Sequence, residues 1–215
     1  LSCALSRPAI PVTGQPQLLY LLLEVSGGEG ADSLPIHLDL VIDCSDSMRV
    51  RLVTDEQFKE LAQYGYAQEV LTDGVPAYQI TSVPPEALRQ FPRRIDYVAD
   101  ALVIASEYLR AADCFSLVAF AGQALVMVPS SKGKDRARLQ QAARELEYLN
   151  LGDSTQMDEG LALAVEENQR NPKSGCAGRL VLLTDGHTRN VSECYTWAKQ
   201  ARQAGLTMST TGIGS

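Results

Sequence analysis

Apolar residues in this chain fall into two kinds of segment, short continuous runs and longer stretches in which they recur every three or four positions. The first kind predicts strands and the second predicts helices, and the two alternate from residue 36 onwards. Strands separated by helices of this length indicate a mostly parallel sheet. The predicted strands are residues 17–25, 36–43, 115–120, 124–128, 180–183 and 206–213, and the predicted helices are residues 95–109, 139–149, 158–169 and 191–204.

The predicted fold class is α/β, with a doubly wound, Rossmann-like central sheet and helices on both faces. Residues 36–43 are apolar enough for a central strand that is buried on both sides, and residues 180–183 predict a buried strand. The run at residues 124–128 follows a tight turn at Ala121-Gly122, so it predicts a hairpin and one antiparallel edge strand. Because such a sheet usually covers its last strand with a helix, we expect a further helix beyond this sequence.

Two regions interrupt the alternation. Residues 1–35 predict a Pro-rich, irregular lead-in with one accessory strand, and residues 36–215 form the main domain. Residues 49–94 contain no apolar run long enough for a core strand, which indicates an inserted lobe. The lobe begins with a capping-box helix from Thr54 to about Val70, followed by a strand at 75–83 and a short helical turn around Leu88. Its apolar residues are few, so we expect it to lean on the main domain.

Composition narrows the possible partners and locations. The chain has 215 residues, a formal charge of -7 and a pI near 4.9, which disfavours binding to nucleic acid. Its longest apolar run, residues 18–23, is too short to cross a membrane. Five cysteines without a CxxC pair favour reduced thiols, so a cytoplasmic location is expected. The first residue is Leu, which leaves open a targeting segment ahead of it.

Small oxygen-bearing side chains stand where predicted strands end or a helix begins. In a parallel sheet the carboxyl ends of the strands share one edge, and ligands bind in the crevice there. We therefore expect these side chains to converge, although each alone is also typical of a turn or a helix cap. The five residues are Asp43, Ser45, Ser47, Thr155 and Asp185.

Two carboxylates and three hydroxyls make an all-oxygen set of candidate ligands. Mg2+ prefers oxygens in near-octahedral geometry and keeps some water, so it is the predicted cofactor, with Mn2+ or Ca2+ as alternatives. No His or Cys in the sequence is placed for a zinc or copper site. Five protein oxygens leave a coordination position open, and a carboxylate from another protein can bind there.

The same residues resemble the metal-ion-dependent adhesion site of the von Willebrand factor A domain family. Residues 43–47 (DCSDS) fit the family's DxSxS signature, Thr155 stands five residues before Gly160, and residues 184–186 (TDG) resemble a third element. The elements occur in the family order, and the resemblance covers nearly the whole chain outside the lead-in and the lobe. The lobe departs from the usual pattern, in which the first helix follows the serines closely.

The resemblance implies a non-enzymatic adhesion or adaptor module that binds a protein. In such domains the serines and the threonine tend to bind the metal directly, the aspartates often act through water, and the partner donates a Glu or Asp. Bacterial members look like adaptors that often work with AAA+ ATPases, so such a complex is one expected kind of partner. His187, Arg93 and Arg94 lie near the same predicted edge and are candidates for contact with the partner.

A metal-dependent hydrolase or phosphatase on a similar sheet is the alternative function. Phosphoryl-transfer enzymes with an Asp nucleophile commonly carry a second carboxylate two residues on, where this chain has Ser45. A Ser nucleophile needs a nearby His base, and no motif supports His37 or His187 in that role. Nucleotide binding is disfavoured, since no Gly-rich loop follows the first sheet strand.

Overall fold

A computed structural model describes the protein at residues 2–5, 21–24, 34–72, 75–80, 83–84, 86, 90–152, 154–171, 175–186, 188 and 190–213. The chain divides into two units, Leu1–Ser33 and Leu34–Ser215. In the first unit, strand β1 (Ser2–Leu5) pairs with antiparallel strand β2 (Leu21–Glu24). The expectation of an irregular lead-in is therefore wrong at β1, because pairing with β2 gives its backbone groups hydrogen-bond partners. The predicted accessory strand is confirmed at β2, and residues 17–20 lie outside the described part.

The second unit contains a five-stranded sheet and an inserted lobe. The sheet strands are β3 (Ile36–Asp43), β6 (Cys114–Phe120), β7 (Ala124–Lys132), β8 (Ala177–Thr184) and β9 (Thr207–Gly212). Its helices are α2 (Arg94–Glu107), α3 (Ala137–Glu145), α4 (Met157–Arg170) and α5 (Val191–Gln203). The lobe supplies helix α1 (Asp55–Gln63) and strands β4 (Ala67–Thr72) and β5 (Val75–Ile80).

The sheet has the strand order β7-β6-β3-β8-β9. Neighbouring strands are parallel except at one edge, where β7 runs antiparallel to β6. The predicted mostly parallel α/β fold with one antiparallel edge strand is confirmed. Since β3 pairs with β6 on one side and β8 on the other, the carboxyl ends of these three strands lie side by side.

Helices cover both faces of this sheet. Alternate residues of β3 face opposite sides, so Leu40 and Ile42 pack with α2 and α3, whereas Val41 packs with α4 and α5. Strand β3 is buried on both faces, as predicted, and β6 is buried on both faces as well. In β8, Leu180 and Leu182 are buried, whereas Val181 and Leu183 are half-buried. Among the described residues, no helix is long and apolar enough to cross a membrane.

The lobe leaves the sheet after β3 and returns at α2. The capping box predicted at Thr54 is present, since its side chain accepts from Gln57 N while the Gln57 side chain accepts from Thr54 N. Helix α1 ends at Gln63 and not near Val70. Gly65 follows with a φ of 74°, a left-handed conformation that stops the helix and favours glycine. The chain then forms the antiparallel pair β4–β5.

The described part of the lobe has a small apolar core of its own. The two ends of the lobe meet at a neck, where Arg51 forms a β-bridge with Arg93 and Leu52 N donates to Pro92 O (2.8 Å). The cluster is small and consists of lobe residues alone, in keeping with the few apolar residues of the lobe. The helical turn predicted around Leu88 lies largely outside the described residues. The buried members are Leu61, Ala67, Val83 and Phe91.

A buried polar group lies toward the amino end of β3. Asp39 accepts hydrogen bonds from Ser116 Oγ (2.6 Å) and Asn168 Nδ2 (2.7 Å). Burial raises the pKa of Asp39, and the nearby His37 opposes that shift. The His37 ring lies 3.1 Å from Asn168 Nδ2 and 3.3 Å from Ser130 Oγ. His37 is thus held in a structural network at the end of the sheet opposite to the candidate ligands.

The contact between Gly160 in α4 and Phe120 in β6 gives a stability prediction. A Cβ at residue 160 would lie 2.7 Å from Phe120 Cδ1 and 2.9 Å from its Cγ. Gly160→Ala is therefore expected to lower the free energy of unfolding by about 1–2 kcal/mol in urea denaturation, despite the better helix propensity of Ala. Gln169→Ala, at an exposed site on the same helix, should change it by less than about 0.5 kcal/mol. Equal stability of wild type and Gly160→Ala would contradict this close packing.

Candidate metal site

The first segment of the candidate site is the carboxyl end of β3. Asp43 is fully buried, and its two carboxylate oxygens accept from Ser45 N (2.9 Å) and from Thr184 Oγ1 (2.7 Å). A short 3-10 helix, Asp46–Arg49, follows and brings the hydroxyls of Ser45 and Ser47 to 3.1 Å from each other. The turn therefore gathers a carboxylate and two hydroxyls within five consecutive residues.

The second segment is the carboxyl end of β8, next to β3. Ile42 pairs with Leu183, so Asp43 and Thr184 are the next residues along both strands. The Thr184 hydroxyl donates to Asp43 and accepts from Gly186 N (3.1 Å), which shapes the turn that carries Asp185. Thr184 is a site residue that the sequence pattern alone did not identify. Its position directly before Asp185 in the TDG element is the signal that could have identified it.

The third segment is the loop that carries Thr155 into α4. Gln156 N donates to Ala121 O (2.7 Å) and so fixes this loop beside the turn after β6. The Thr188 hydroxyl, beyond β8, donates to Thr155 O (3.4 Å). Gly122 allows the close approach, because a Cβ there would lie 3.0 Å from Leu151 O. The structure thus brings the segments that carry all five predicted ligands to one edge of the sheet.

The two arginines proposed as partner contacts differ in their surroundings. Arg93 pairs with Asp96 (2.7 Å) and Glu147 (2.9 Å), which fastens the start of α2. Arg94 faces the candidate site, where its Nη1 donates to Ser47 O (3.1 Å) and Asp185 Oδ2 (3.4 Å). No sequence pattern indicated this pairing with Asp185. His187, the third proposed contact, lies outside the described residues.

Two neighbours of the candidate ligands, Asp46 and Cys44, have contrasting surroundings. Asp46, between the two serines, is exposed, in keeping with a solvated side chain. Cys44 is 1% exposed and packs in the core. Burial raises the pKa of its thiol to about 12, with a smaller contribution from Asp43. The thiol is therefore protonated near neutral pH and is a poor metal ligand.

The donor set fits a hard divalent cation that is held partly by hydroxyls. Asp185 Oδ1 is buried and has no hydrogen-bond partner among the described residues, so it is an acceptor available to a cation. No group of three or more His, Cys, Asp or Glu side chains in the described part is placed to hold a metal ion. A cation at this edge would therefore need the oxygens of Ser and Thr as well as those of Asp.

Residues 82–187 match the family model of the von Willebrand factor type A domain. This stretch includes Thr155 and Asp185, whereas Asp43, Ser45 and Ser47 precede it, on the other side of the lobe. Over 126 residues, 57% of this chain, the sequence is 27% identical to the uncharacterized protein YfbK of Escherichia coli (strain K12). The aligned part is 21% of the length of YfbK.

Two solved structures share the fold of this chain. The conserved hypothetical protein BatB from Bacteroides thetaiotaomicron superposes with a TM-score of 0.57 at 17% identity, over 83% of this chain and 66% of that one. The manganese-loaded TRAP protein of Plasmodium vivax superposes with a TM-score of 0.51 at 15% identity, over 84% and 58%. At such identities these structures establish the fold alone. The sheet, the order of the motifs and the family match together show that this chain contains a von Willebrand factor type A domain.

The burial of Asp43 leads to a prediction about pH. Burial raises the pKa of Asp43 above its ordinary 3.8, against the hydrogen bonds from Ser45 and Thr184. A carboxyl group that holds its proton more tightly in the folded state stabilises the fold below the unfolded pKa, and this contribution is lost as pH rises through the folded pKa. In EDTA, the free energy of unfolding of wild type relative to Asp43→Asn should therefore fall as pH rises from about 4 to 7.

Denaturant titrations across this pH range measure the effect, with Asp46→Asn as the control. Asp46 has the same side chain three residues away but is exposed, so this variant should follow the wild-type profile. Parallel profiles for wild type and Asp43→Asn would show that the burial of Asp43 does not shift its titration.

Proposed function

We propose that this chain is a divalent-metal-dependent protein-binding module. The observation that supports it most is the buried Oδ1 of Asp185, which has no hydrogen-bond partner among the described residues and lies next to the hydrogen bond between Thr184 and Asp43. A buried carboxylate oxygen without a donor is costly unless a cation or a proton satisfies it. The proposed ligands, some of them acting through water, are Asp43, Ser45, Ser47, Thr155 and Asp185.

The mixture of neutral and charged ligands favours moderate affinity for Mg2+ or Mn2+. Hydroxyl oxygens carry no net charge and hold a cation less tightly than carboxylates do. Asp43 already accepts two hydrogen bonds from the protein, so its main part is to fix the geometry of the turn. The TRAP protein, which shares the fold, was crystallised with manganese, and this supports the choice of Mn2+ as a probe.

Family membership supports a protein as the ligand of this site. Von Willebrand factor A domains often mediate protein–protein interactions. A bound divalent ion supplies an open coordination position for a Glu or Asp carboxylate, and the protein residues around it orient that carboxylate. No observation favours the hydrolase alternative. His37, near the amino end of β3, is about 20 Å along the strand from Asp43 and cannot act as a base for Ser45.

Metal binding is tested by calorimetric titration of Mn2+ into wild type, Ser47→Ala and Ser209→Ala. Ser47 is half-buried at the site and Ser209 is exposed on β9. We expect Ser47→Ala to bind Mn2+ at least about tenfold more weakly, because a ligand oxygen is lost. Ser209→Ala should match wild type. Equal affinity of Ser47→Ala and wild type would remove Ser47 from the site.

Partner binding is tested by affinity capture from cells with immobilised wild type in Mg2+, wild type in EDTA, and Ser47→Ala in Mg2+. We expect the specific partner to be retained in the first case alone, because only that protein can offer a metal to its carboxylate. Retention of the same proteins in EDTA would contradict metal-dependent recognition.

The lobe is proposed to select the partner, since both of its ends lie at the candidate site and loops at such an edge often carry function. It also has a cavity of about 390 Å³ lined in part by Tyr64, Tyr66 and Phe91. Replacing residues 51–92 with a short Gly/Ser linker should leave the Mn2+ affinity within about threefold of wild type, because this segment contains none of the proposed ligands. The affinity for the captured partner should fall by at least about tenfold. An unchanged partner affinity would exclude the lobe from recognition.

A further inference from the structure

Arg94 connects two of the segments that carry candidate ligands. It is the first residue of α2, directly after the lobe, and its Nη1 donates to both Ser47 O (3.1 Å) and Asp185 Oδ2 (3.4 Å). The side chains of Arg94 and Asp185 are 17% and 9% exposed. Water therefore screens this ion pair less than it screens a pair on the open surface. Arg94 places a fixed positive charge among the oxygens that we assign to the divalent ion.

Neither partner of this ion pair is fully satisfied. Arg94 Nε and Asp185 Oδ1 are both buried, and neither has a hydrogen-bond partner in the described part of the protein. A bidentate arginine–carboxylate pair would use two N–H groups and both oxygens. Here the two side chains share one contact at 3.4 Å, and a donor and an acceptor remain unused beside it. Such a pair is readily exchanged for an arrangement that satisfies more of its polar atoms.

We propose that Arg94 is an internal cation that competes with the divalent ion for Asp185 and thereby lowers the affinity of the site for metal. This inference rests on the proposed metal site. Two cations that share one carboxylate at close range repel each other, so a divalent ion on Oδ1 of Asp185 and Arg94 on Oδ2 weaken each other's binding. Metal binding then weakens the contact between Arg94 and Asp185, and the free energy lost from the ion pair is subtracted from that of metal binding.

A purely structural role for Arg94 leads to a different outcome. In that case the side chain only fastens the start of α2 to the turn after β3, through Ser47 O. Its removal would then lower stability to the same extent with and without metal, and would leave the metal affinity unchanged. Competition predicts instead that removal destabilises the protein in EDTA and that Mn2+ reduces or reverses this loss.

The test is calorimetric titration of Mn2+ into wild type, Arg94→Gln, Arg94→Lys and two controls, with melting temperatures in EDTA and in Mn2+. Arg49→Gln removes a positive charge close to the site, where Arg49 donates to the carbonyl oxygens of Glu147 and Leu149. Arg170→Gln removes one at the far end of α4, where Arg170 pairs with Glu166. We expect Arg94→Gln to bind Mn2+ about three- to tenfold more tightly than wild type. Arg94→Lys, which keeps the charge, should stay within about threefold of wild type, and both controls should match it.

The outcomes separate this inference from the metal site itself. Tighter binding by Arg94→Gln than by wild type and by Arg49→Gln supports competition at Asp185. Equal binding by wild type and Arg94→Gln overturns the inference and leaves the metal site in place. An equal gain in Arg49→Gln would show a general effect of nearby charge and would also overturn it. If no variant binds Mn2+, both the metal site and the competition are wrong. If Arg94→Gln fails to fold in EDTA, its melting in Mn2+ decides: folding restored by Mn2+ supports competition, and failure to fold in both conditions overturns it.

Discussion

The parallel pairing of β3 with β6 and β8 is the constraint on which the rest of the structure depends. It aligns the carboxyl ends of three strands, so that the residues following each strand meet at one edge. The apolar side chains of β3 and β6 are buried on both faces, which fixes the register, since a shift by one residue would exchange the two faces. The position of each candidate ligand therefore follows from the packing of a core that lies away from the site.

Asp43 links this core to the site. It is the last residue of β3, is fully buried, and accepts hydrogen bonds from its own turn and from the neighbouring strand through Thr184. Burial alone would make a carboxylate costly at this position, and the two donors offset part of that cost. The same contacts orient the turn with Ser45 and Ser47 and the turn with Asp185. One side chain thus holds together two of the three segments of the site.

The lobe and Arg94 give this domain a feature that separates it from a plain doubly wound sheet. The chain leaves the sheet directly after the two serines and comes back through a neck that ends at Arg93. Arg93 forms ion pairs with Asp96 and Glu147, and the next residue, Arg94, faces Asp185. An insertion at this position therefore sets which positive charge enters the site, while its own small core keeps the folding of the lobe largely local. Long insertions in surface loops add little entropic cost, and the sheet tolerates this one.

The sequence by itself determined the succession of strands and helices along the chain and the antiparallel edge strand, and it proposed the five candidate ligands. These follow from local patterns, namely apolar runs, helical periodicity and short motifs at the ends of strands. The local pattern did not predict β1, because this strand depends on pairing with β2. It also extended helix α1 to about Val70, whereas Gly65 stops the helix earlier. Only the tertiary structure decided that Thr184 holds Asp43 and that Arg94 meets Asp185, across 141 and 91 positions of sequence. Such contacts depend on which strands become neighbours in the sheet and on where the chain re-enters the main domain after the lobe. The local pattern of apolar and polar residues does not determine either of these.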